Sequence, residues 1–223
     1  MSAALFDLNP EERPRRELAP GAVHVPCWLT LAQQQWIAGR FREWASGPVP
    51  VRAARVRGHE MSVRTVCLGW HWQPYQYTRE ATDVNGRRVL PFPGWMADLG
   101  RRALAEAAGD PHAGDGYAPD AALVNYYDRA ARLGMHQDKD ERSAAPVVSL
   151  SIGDSCTFRF GNTRDRGRPY EDVLLASGDL FVFGGPSRLA YHGVTKVHPA
   201  TAPAGCGLGE GRINITMRVT GMS

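Results

Sequence analysis

Apolar positions recur along the chain at two different periods, and the change from one to the other organises it. Ile37, Phe41, Trp44 and Ala45 return at helical spacing, which predicts an amphipathic helix over 31–45. Ahead of it, Thr30-Leu31-Ala32-Gln33 has the form of a capping box, in which the Thr hydroxyl and the Gln amide satisfy each other's orphan backbone donors. Gly47-Pro48 stops the helix. A second helix is predicted from Pro93 to Gly109, with Trp95, Leu99 and Ala103 on one face and a glycine end. Beyond it the period falls to two: 122–127, 146–152, 156–160, 172–175, 179–183, 188–197 and 212–219 are short, β-branched or aromatic, and separated by Gly, Asp, Asn or Pro. Strands in such density, with no helix between them, predict an antiparallel sandwich, jelly roll or barrel.

Two stretches have other textures. Residues 1–20 read as an irregular lead-in, and 199–211 as a Gly/Ala/Pro-rich loop. Residues 49–92 combine a β-rich run at 62–68 with scattered Arg52, Arg55, Arg57 and Arg64, an aromatic patch of Trp70, Trp72, Tyr75 and Tyr77, and an Asn85-Gly86 turn expected to close a hairpin. Most aromatics in most proteins pack in cores; a stacking surface for a planar ligand is the sharper alternative. The length of 223 residues fits one domain with an N-terminal elaboration: 1–48 lead-in and helix, 49–92, then 93–223 helix and β core.

Composition narrows the classes. A hydrophobic content of 43% with 22% charge is that of an ordinary globular protein and excludes extended disorder. The net charge of +3 rests on arginine, with lysine only at Lys139 and Lys196; this permits a polyanionic partner without requiring one. Cys27, Cys67, Cys156 and Cys206 are widely spaced with no C-x-x-C pair, which argues against a zinc ribbon or thioredoxin-like motif and for reduced thiols. No apolar signal region precedes Pro20 and no run approaches membrane-spanning length, so a cytoplasmic protein with no membrane partner is the expectation.

The candidate chemistry lies at three places. In 212–219 the alternation puts Arg212, Asn214, Thr216 and Arg218 on one face, and 122–127 offers Asn125 and Tyr127 with the same parity. Such a face is either an edge strand's wet side or the inside of a barrel; inside, unpaired cations would cost several kcal/mol, and a small dicarboxylate would satisfy them. His136-Gln137-Asp138 offers two donors pointing the same way on extended chain, a pattern that also arises by chance in a solvated turn. His192 is the third-ligand candidate, at a strand end before the arginine-bearing strand, although His24, His59, His71, His112 and His198 compete with it. Two His and one Asp with open positions is the facial arrangement of non-haem Fe(II) oxygenases, which bind a 2-oxo acid and then O2. A zinc hydrolase with the same ligands is chemically possible but leaves the arginine strand without a role.

Taken together, Met61-Ser62-Val63, Gly69-Trp70, Asn125-Tyr126-Tyr127, His136 to Glu141, Gly184 to Leu189, Tyr191-His192-Gly193 and Arg212 to Arg218 occur in an order that resembles the AlkB-type Fe(II)/2-oxoglutarate dioxygenases, most closely the bacterial alkylation-repair branch, from about Leu5 onward. The resemblance implies a double-stranded β-helix (jelly-roll) core, mainly β with α+β elaboration, carrying N-terminal helices and a nucleotide-recognition lid over 49–92. It implies Fe(II) on His136, Asp138 and His192; the distal carboxylate of 2-oxoglutarate on Arg212, Tyr127 and Asn214; and Arg218 and Asn125 at the carboxylate beside the metal. The implied substrates are 1-methyladenine and 3-methylcytosine in alkylated DNA, with RNA left open, oxidised with O2 so that formaldehyde, succinate and CO2 are released. Trp70 would stack on the flipped base, Asp140 would face its positive charge, and Tyr75 with Arg166 or Arg164 would meet phosphate. A monomer is expected. Two features depart from the family: His59 stands where an aromatic is usual, in a basic segment 55–60, and the loop 199–211 is long. Two alternatives stand beside this reading: a 2-oxoglutarate-dependent hydroxylase or demethylase of a protein or small molecule, and a non-catalytic nucleic-acid-binding jelly roll.

Overall fold

Residues 13–222 are described by the computed structural model, and the strands in chain order are β1 (Arg16–Ala19), β2 (Ala22–Val25), β3 (Arg52–Val56), β4 (His59–Leu68), β5 (His71–Gln73), β6 (Gln76–Thr78), β7 (Ala121–Tyr127), β8 (Leu133–His136), β9 (Val147–Gly153), β10 (Ser155–Gly161), β11 (Tyr170–Leu175), β12 (Leu180–Phe183), β13 (His192–His198) and β14 (Arg212–Arg218). Two helices, α1 (Leu31–Ala45) and α2 (Gly94–Ala108), interrupt them. Eight strands form one antiparallel sheet in the order β1-β2-β12-β9-β14-β7-β4-β3, four form a second in the order β11-β10-β13-β8, and β5-β6 make a separate hairpin. This is the jelly-roll architecture, mostly β with two helices.

Period-two alternation explains the layering. On β14, Ile213, Ile215 and Met217 join the cluster formed with Ile37, Phe41, Trp44, Leu99 and Ala103 of the helices, so the helices cover one face of the large sheet. The opposite face meets the small sheet through Phe158 and Phe160 of β10 against Phe181 and Phe183 of β12, with Phe158 and Phe181 centroids 5.0 Å apart. Both helix ends follow from sequence. Gln33 N–H donates to the Thr30 hydroxyl and Thr30 N–H to the Gln33 amide oxygen, completing the capping box. Gly109 takes the left-handed conformation at φ 68° that ends α2.

Several expectations are corrected. The lead-in lies partly outside the described residues; its remainder carries β1, a four-residue strand too short to alternate visibly, which is ordered by pairing with β2 as β2 is by pairing with β12. Asn85-Gly86 closes no strand hairpin: only the single bridge Glu80↔Arg88 flanks it, while the Asn85 amide donates to the Pro48 carbonyl. The tight hairpin in this region is β5–β6, turned at Pro74-Tyr75 with Tyr75 at φ 73°. The strand expected over 188–197 begins only at His192, because Gly185–Ser187 form a 3-10 turn that carries the chain across the sheet end. β8 was not foreseen; Leu-Gly-Met-His holds too few apolar residues to signal a strand and is set by pairing with β13. Among the described residues no helix is long and apolar enough to cross a membrane.

Two buried carboxylates hold connections in place. Asp154 accepts from the backbone N–H groups of Thr201, Ala202 and Gly211, each at 3.0 Å, and so folds the 199–211 loop onto the start of β14. Asp179, with a fully buried side chain, accepts from Arg13 (2.6 Å), His24 (2.8 Å) and the N–H groups of Cys27 and Ala176. Burial opposes its ionisation, but His24 and Arg13 outweigh it and hold the carboxyl below its ordinary value of 3.8. Replacing Asp179 with Ala should lower unfolding free energy by about 3 kcal/mol, the effect of stranding a buried partner. A depressed folded-state pKa contributes stability that is complete above the unfolded value and lost as pH falls through the folded one. The gap between wild type and variant in denaturant titrations should therefore be constant near neutrality and close only below about pH 4.

Candidate active site

Strand register brings the sequence candidates into one cavity between the sheets. On the large sheet, Arg212 pairs with Tyr127 and Asn214 with Asn125, so the inward-facing residues of β14 and β7 stand opposite one another. On the small sheet, His192 of β13 pairs directly with His136 of β8, and their ring centroids are 4.4 Å apart. Asp138 follows two residues after His136. All eight residues, Asn125, Tyr127, His136, Asp138, His192, Arg212, Asn214 and Arg218, line the same cavity.

The donor geometry is that of a metal site. One ligand atom each from His136, Asp138 and His192 lies within 4.8 Å of the others. His136 Nε2 is 3.5 Å from Asp138 Oδ1, and His192 Nε2 is 3.8 Å from Oδ2. Each imidazole places Nδ1 against a backbone carbonyl, Gly134 at 2.9 Å and Ala190 at 3.0 Å, which puts the proton on Nδ1 and turns the Nε2 lone pair inward. Burial, reinforced by His136, pushes His192 down to about 4, so it is neutral and able to ligate. Burial works against the Asp138 carboxylate, yet Arg218 and the two imidazoles hold it well below the usual carboxylate range. Arg218 Nη2 is 2.8 Å from Asp138 Oδ2 but poorly aligned with it, and Oδ2 is left buried without a hydrogen-bond donor. An oxygen in that state, beside two free Nε2 atoms, fits Fe(II). The competing histidines have other partners or other places: His24 bonds Asp179, His71 bonds Asp83, His112 bonds Asp115, His198 lies on Thr157, and His59 is exposed at the β3–β4 end.

A second unmet demand sits deeper. Arg212 is 1% exposed and donates from Nη2 to the Ser151 hydroxyl at 2.9 Å, while its Nε and Nη1 are buried with no partner. A buried guanidinium with two idle donors fits a carboxylate, here one belonging to a molecule long enough to reach the triad as well. Asn214 is set by Ser149 Oγ (2.7 Å) and the Leu150 carbonyl (3.1 Å), and Thr65 donates to Asn125 Oδ1 at 2.7 Å.

The matches to known proteins agree with this geometry. Residues 21–218 match the model of the 2OG-Fe(II) oxygenase superfamily. The chain is 37% identical to the alpha-ketoglutarate-dependent dioxygenase AlkB of Salmonella typhimurium over 96% of this chain and 97% of that protein. The chain belongs to the AlkB-type 2OG-Fe(II) oxygenases. It is also 36% identical to the DNA N(6)-methyladenine demethylase ALKBH1D of Arabidopsis thaliana over 90% of its own length but only 50% of that relative, so it spans about half of the plant protein. The solved structure of OsALKBH1 superposes with a TM-score of 0.83 at 31% identity, covering 92% of this chain and 99% of that one.

In this AlkB-type chain the residues expected to meet substrate are dispersed more widely than the ligands. Asp140 accepts from the Trp72 indole N–H at 2.8 Å. Tyr75, 60% exposed, caps the β5–β6 turn. Both loop arginines are exposed; Arg166 is tied to β8, its Nε donating to the Met135 carbonyl at 2.9 Å. Trp70 is only 6% exposed: its indole N–H donates to Asp120 at 2.9 Å and the Arg79 guanidinium covers its ring at 3.6 Å.

The structure also adds residues that sequence reasoning had not assigned. Arg188 donates to the Asp138 carbonyl (2.6 Å), Glu141 Oε2 (3.0 Å) and the Ala145 carbonyl (2.8 Å), fixing the loop that carries Asp138. Glu141 Oε1 takes bonds from Arg218 (2.9 Å) and the Tyr77 hydroxyl (2.5 Å). Arg188 lies beside Gly-Gly-Pro, where no periodicity points inward, so only spatial proximity reveals it. Replacing Arg188 with Ala should weaken Fe(II) affinity by about 10- to 100-fold, the usual effect of losing support to a ligand, measurable by metal titration.

Proposed function

We propose that this oxygenase removes N-linked methyl groups from DNA bases, chiefly 1-methyladenine and 3-methylcytosine. The observation that carries the reading is the single cavity in which the His136–Asp138–His192 triad faces the idle donors of Arg212, with Asp140 two residues beyond Asp138. Arg212, with Tyr127 and Asn214, takes the distal carboxylate of 2-oxoglutarate, and Arg218 with Asn125 orients the end at the metal. Fe(II), when bound, supplies oxidation of the N-methyl group by O2 with 2-oxoglutarate as co-reductant, giving succinate and CO2. The N-hydroxymethyl product then releases formaldehyde and the restored base without any further residue acting as nucleophile. Phe158 and Phe183 form an apolar part of the cavity wall.

Residues 49–92 serve as the nucleotide-recognition lid over a single catalytic domain in this reading, with Tyr75 and Arg166 toward phosphate. All four cysteines are free thiols, which suits a protein acting in the reducing cytoplasm. The AlkB name of the Salmonella relative and the demethylase name of the Arabidopsis relative support the same class of substrate. The test is succinate formation with Fe(II) and 2-oxoglutarate in the presence of methylated or unmodified oligonucleotides. Methylated strands should stimulate it several-fold, and the stimulation should fall as salt rises, as phosphate contacts require. Equal turnover with unmodified DNA, or none with either, would contradict the proposal.

A further inference from the structure

Among the described residues three arginines are buried, Arg188, Arg212 and Arg218, and they are held in two different ways. Arg188 and Arg218 both pair with Glu141, and Arg218 also lies 2.8 Å from Asp138, so carboxylates offset both charges. Arg212 has no such partner. Its Nη2 donates to the neutral hydroxyl of Ser151 at 2.9 Å, and its Nε and Nη1 are left without an acceptor. Burial pushes the Tyr127 hydroxyl and the Cys156 thiol up while Arg212 lowers both, so two further neutral groups stand beside the guanidinium.

Ser151 is a fixed point. It is 1% exposed on β9, a strand buried along its whole length, and it stands opposite Asn214 of β14. On the other side its N–H donates to the Asp179 carbonyl at 3.0 Å and its carbonyl accepts from the Gly178 N–H at 2.7 Å. Both edges of its backbone are therefore occupied, and Arg212, two residues along β14 from Asn214, lies diagonally across on the same face. An untethered arginine loses rotamer freedom when it meets a ligand. One already tethered has lost that freedom beforehand and binds more tightly for it. We propose that Ser151 is a positioning residue for the cosubstrate: its hydroxyl holds Arg212 in the cavity wall without cancelling the positive charge, so that the free donors meet the distal carboxylate of 2-oxoglutarate. This rests on the reading of Arg212 under the proposed function and deepens it. A carboxylate in place of the hydroxyl would hold the side chain equally well and neutralise it.

The experiment titrates 2-oxoglutarate calorimetrically into the full chain loaded with Mn(II), and titrates Mn(II) itself into the same variants. Ser151→Ala should weaken 2-oxoglutarate binding by about tenfold, the effect of one hydrogen bond to a charged group. Ser151→Cys, which keeps a weak acceptor at the same place, should fall between Ser151→Ala and wild type. Mn(II) affinity should stay within about twofold throughout, because Ser151 acts on Arg212 and not on the triad. In an Arg212→Met background, Ser151→Ala should cost no more than about a further twofold, since the group it positions is gone. Wild-type affinity for 2-oxoglutarate in Ser151→Ala, Mn(II) affinity that falls in step with it, or a full additive loss in the double variant would each overturn the proposal. Arg212→Met that binds 2-oxoglutarate as wild type does would instead remove the reading of Arg212 itself, and the role of Ser151 with it.

Discussion

Asp138→Ala should abolish Fe(II) binding in a metal titration and reduce demethylation by about 1,000-fold or more, on the order of 4 kcal/mol of lost transition-state stabilisation. Asp138 is the only carboxylate of the triad; His136 Nε2 lies 3.5 Å from its Oδ1 and His192 Nε2 3.8 Å from its Oδ2, which is buried without a hydrogen-bond donor. The protein should remain folded. Arg188 holds the loop through the Asp138 backbone carbonyl, which alanine keeps, and Arg218 retains Glu141 and Tyr77 as partners. Native circular dichroism with no iron bound is the expected combination; iron-dependent turnover that survives would remove Asp138 from the metal.

Arg212→Met should produce opposite effects on affinity and stability. Removing one partner of a buried charge pair typically costs 2–5 kcal/mol, so 2-oxoglutarate should bind the Mn(II)-loaded variant at least about 30-fold more weakly by calorimetry. The unliganded protein, however, should unfold at a higher temperature than wild type. Its Arg212 is 1% exposed with Nε and Nη1 unmet, and replacing an under-satisfied buried cation by an apolar side chain of similar length is neutral or stabilising by about 1–4 kcal/mol. Saturating 2-oxoglutarate should then stabilise wild type more than the variant. A variant that melts lower without ligand and still binds 2-oxoglutarate as wild type does would mean that Arg212 serves the fold and not the cosubstrate.

The parts of this protein legible in its sequence are those encoded by short-range periodicity. Alternation along 212–219 put Arg212, Asn214, Thr216 and Arg218 on one face, and β14 carries all four to the cavity because an antiparallel register cannot slip by one residue without turning Ile213 and Ile215 away from the helices. The capping box at Thr30 and the glycine at 109 fixed both helix boundaries for the same reason: each is a contact within a few residues. What escaped were interactions whose partners are far apart in the chain. Arg188 supports Asp138 across 50 residues and Tyr77 reaches Arg218 across 141, and neither leaves any periodic trace. β8 is a strand only because β13 pairs with it, which is why His136 looked like part of a turn. Trp70 and Trp72 alternate on one short segment, and the sequence alone could not say which of them meets Asp140.

Mass spectrometry of an oligonucleotide carrying one 3-methylcytosine, incubated with the protein, Fe(II), 2-oxoglutarate and O2, tests the central claim most directly. The strand should lose the mass of one CH2 with its backbone and base count intact, one formaldehyde should appear per strand converted, and Asp138→Ala should leave the strand unchanged. Loss of the whole base, or succinate formed while the methyl group stays in place, would contradict direct oxidative reversal at this site.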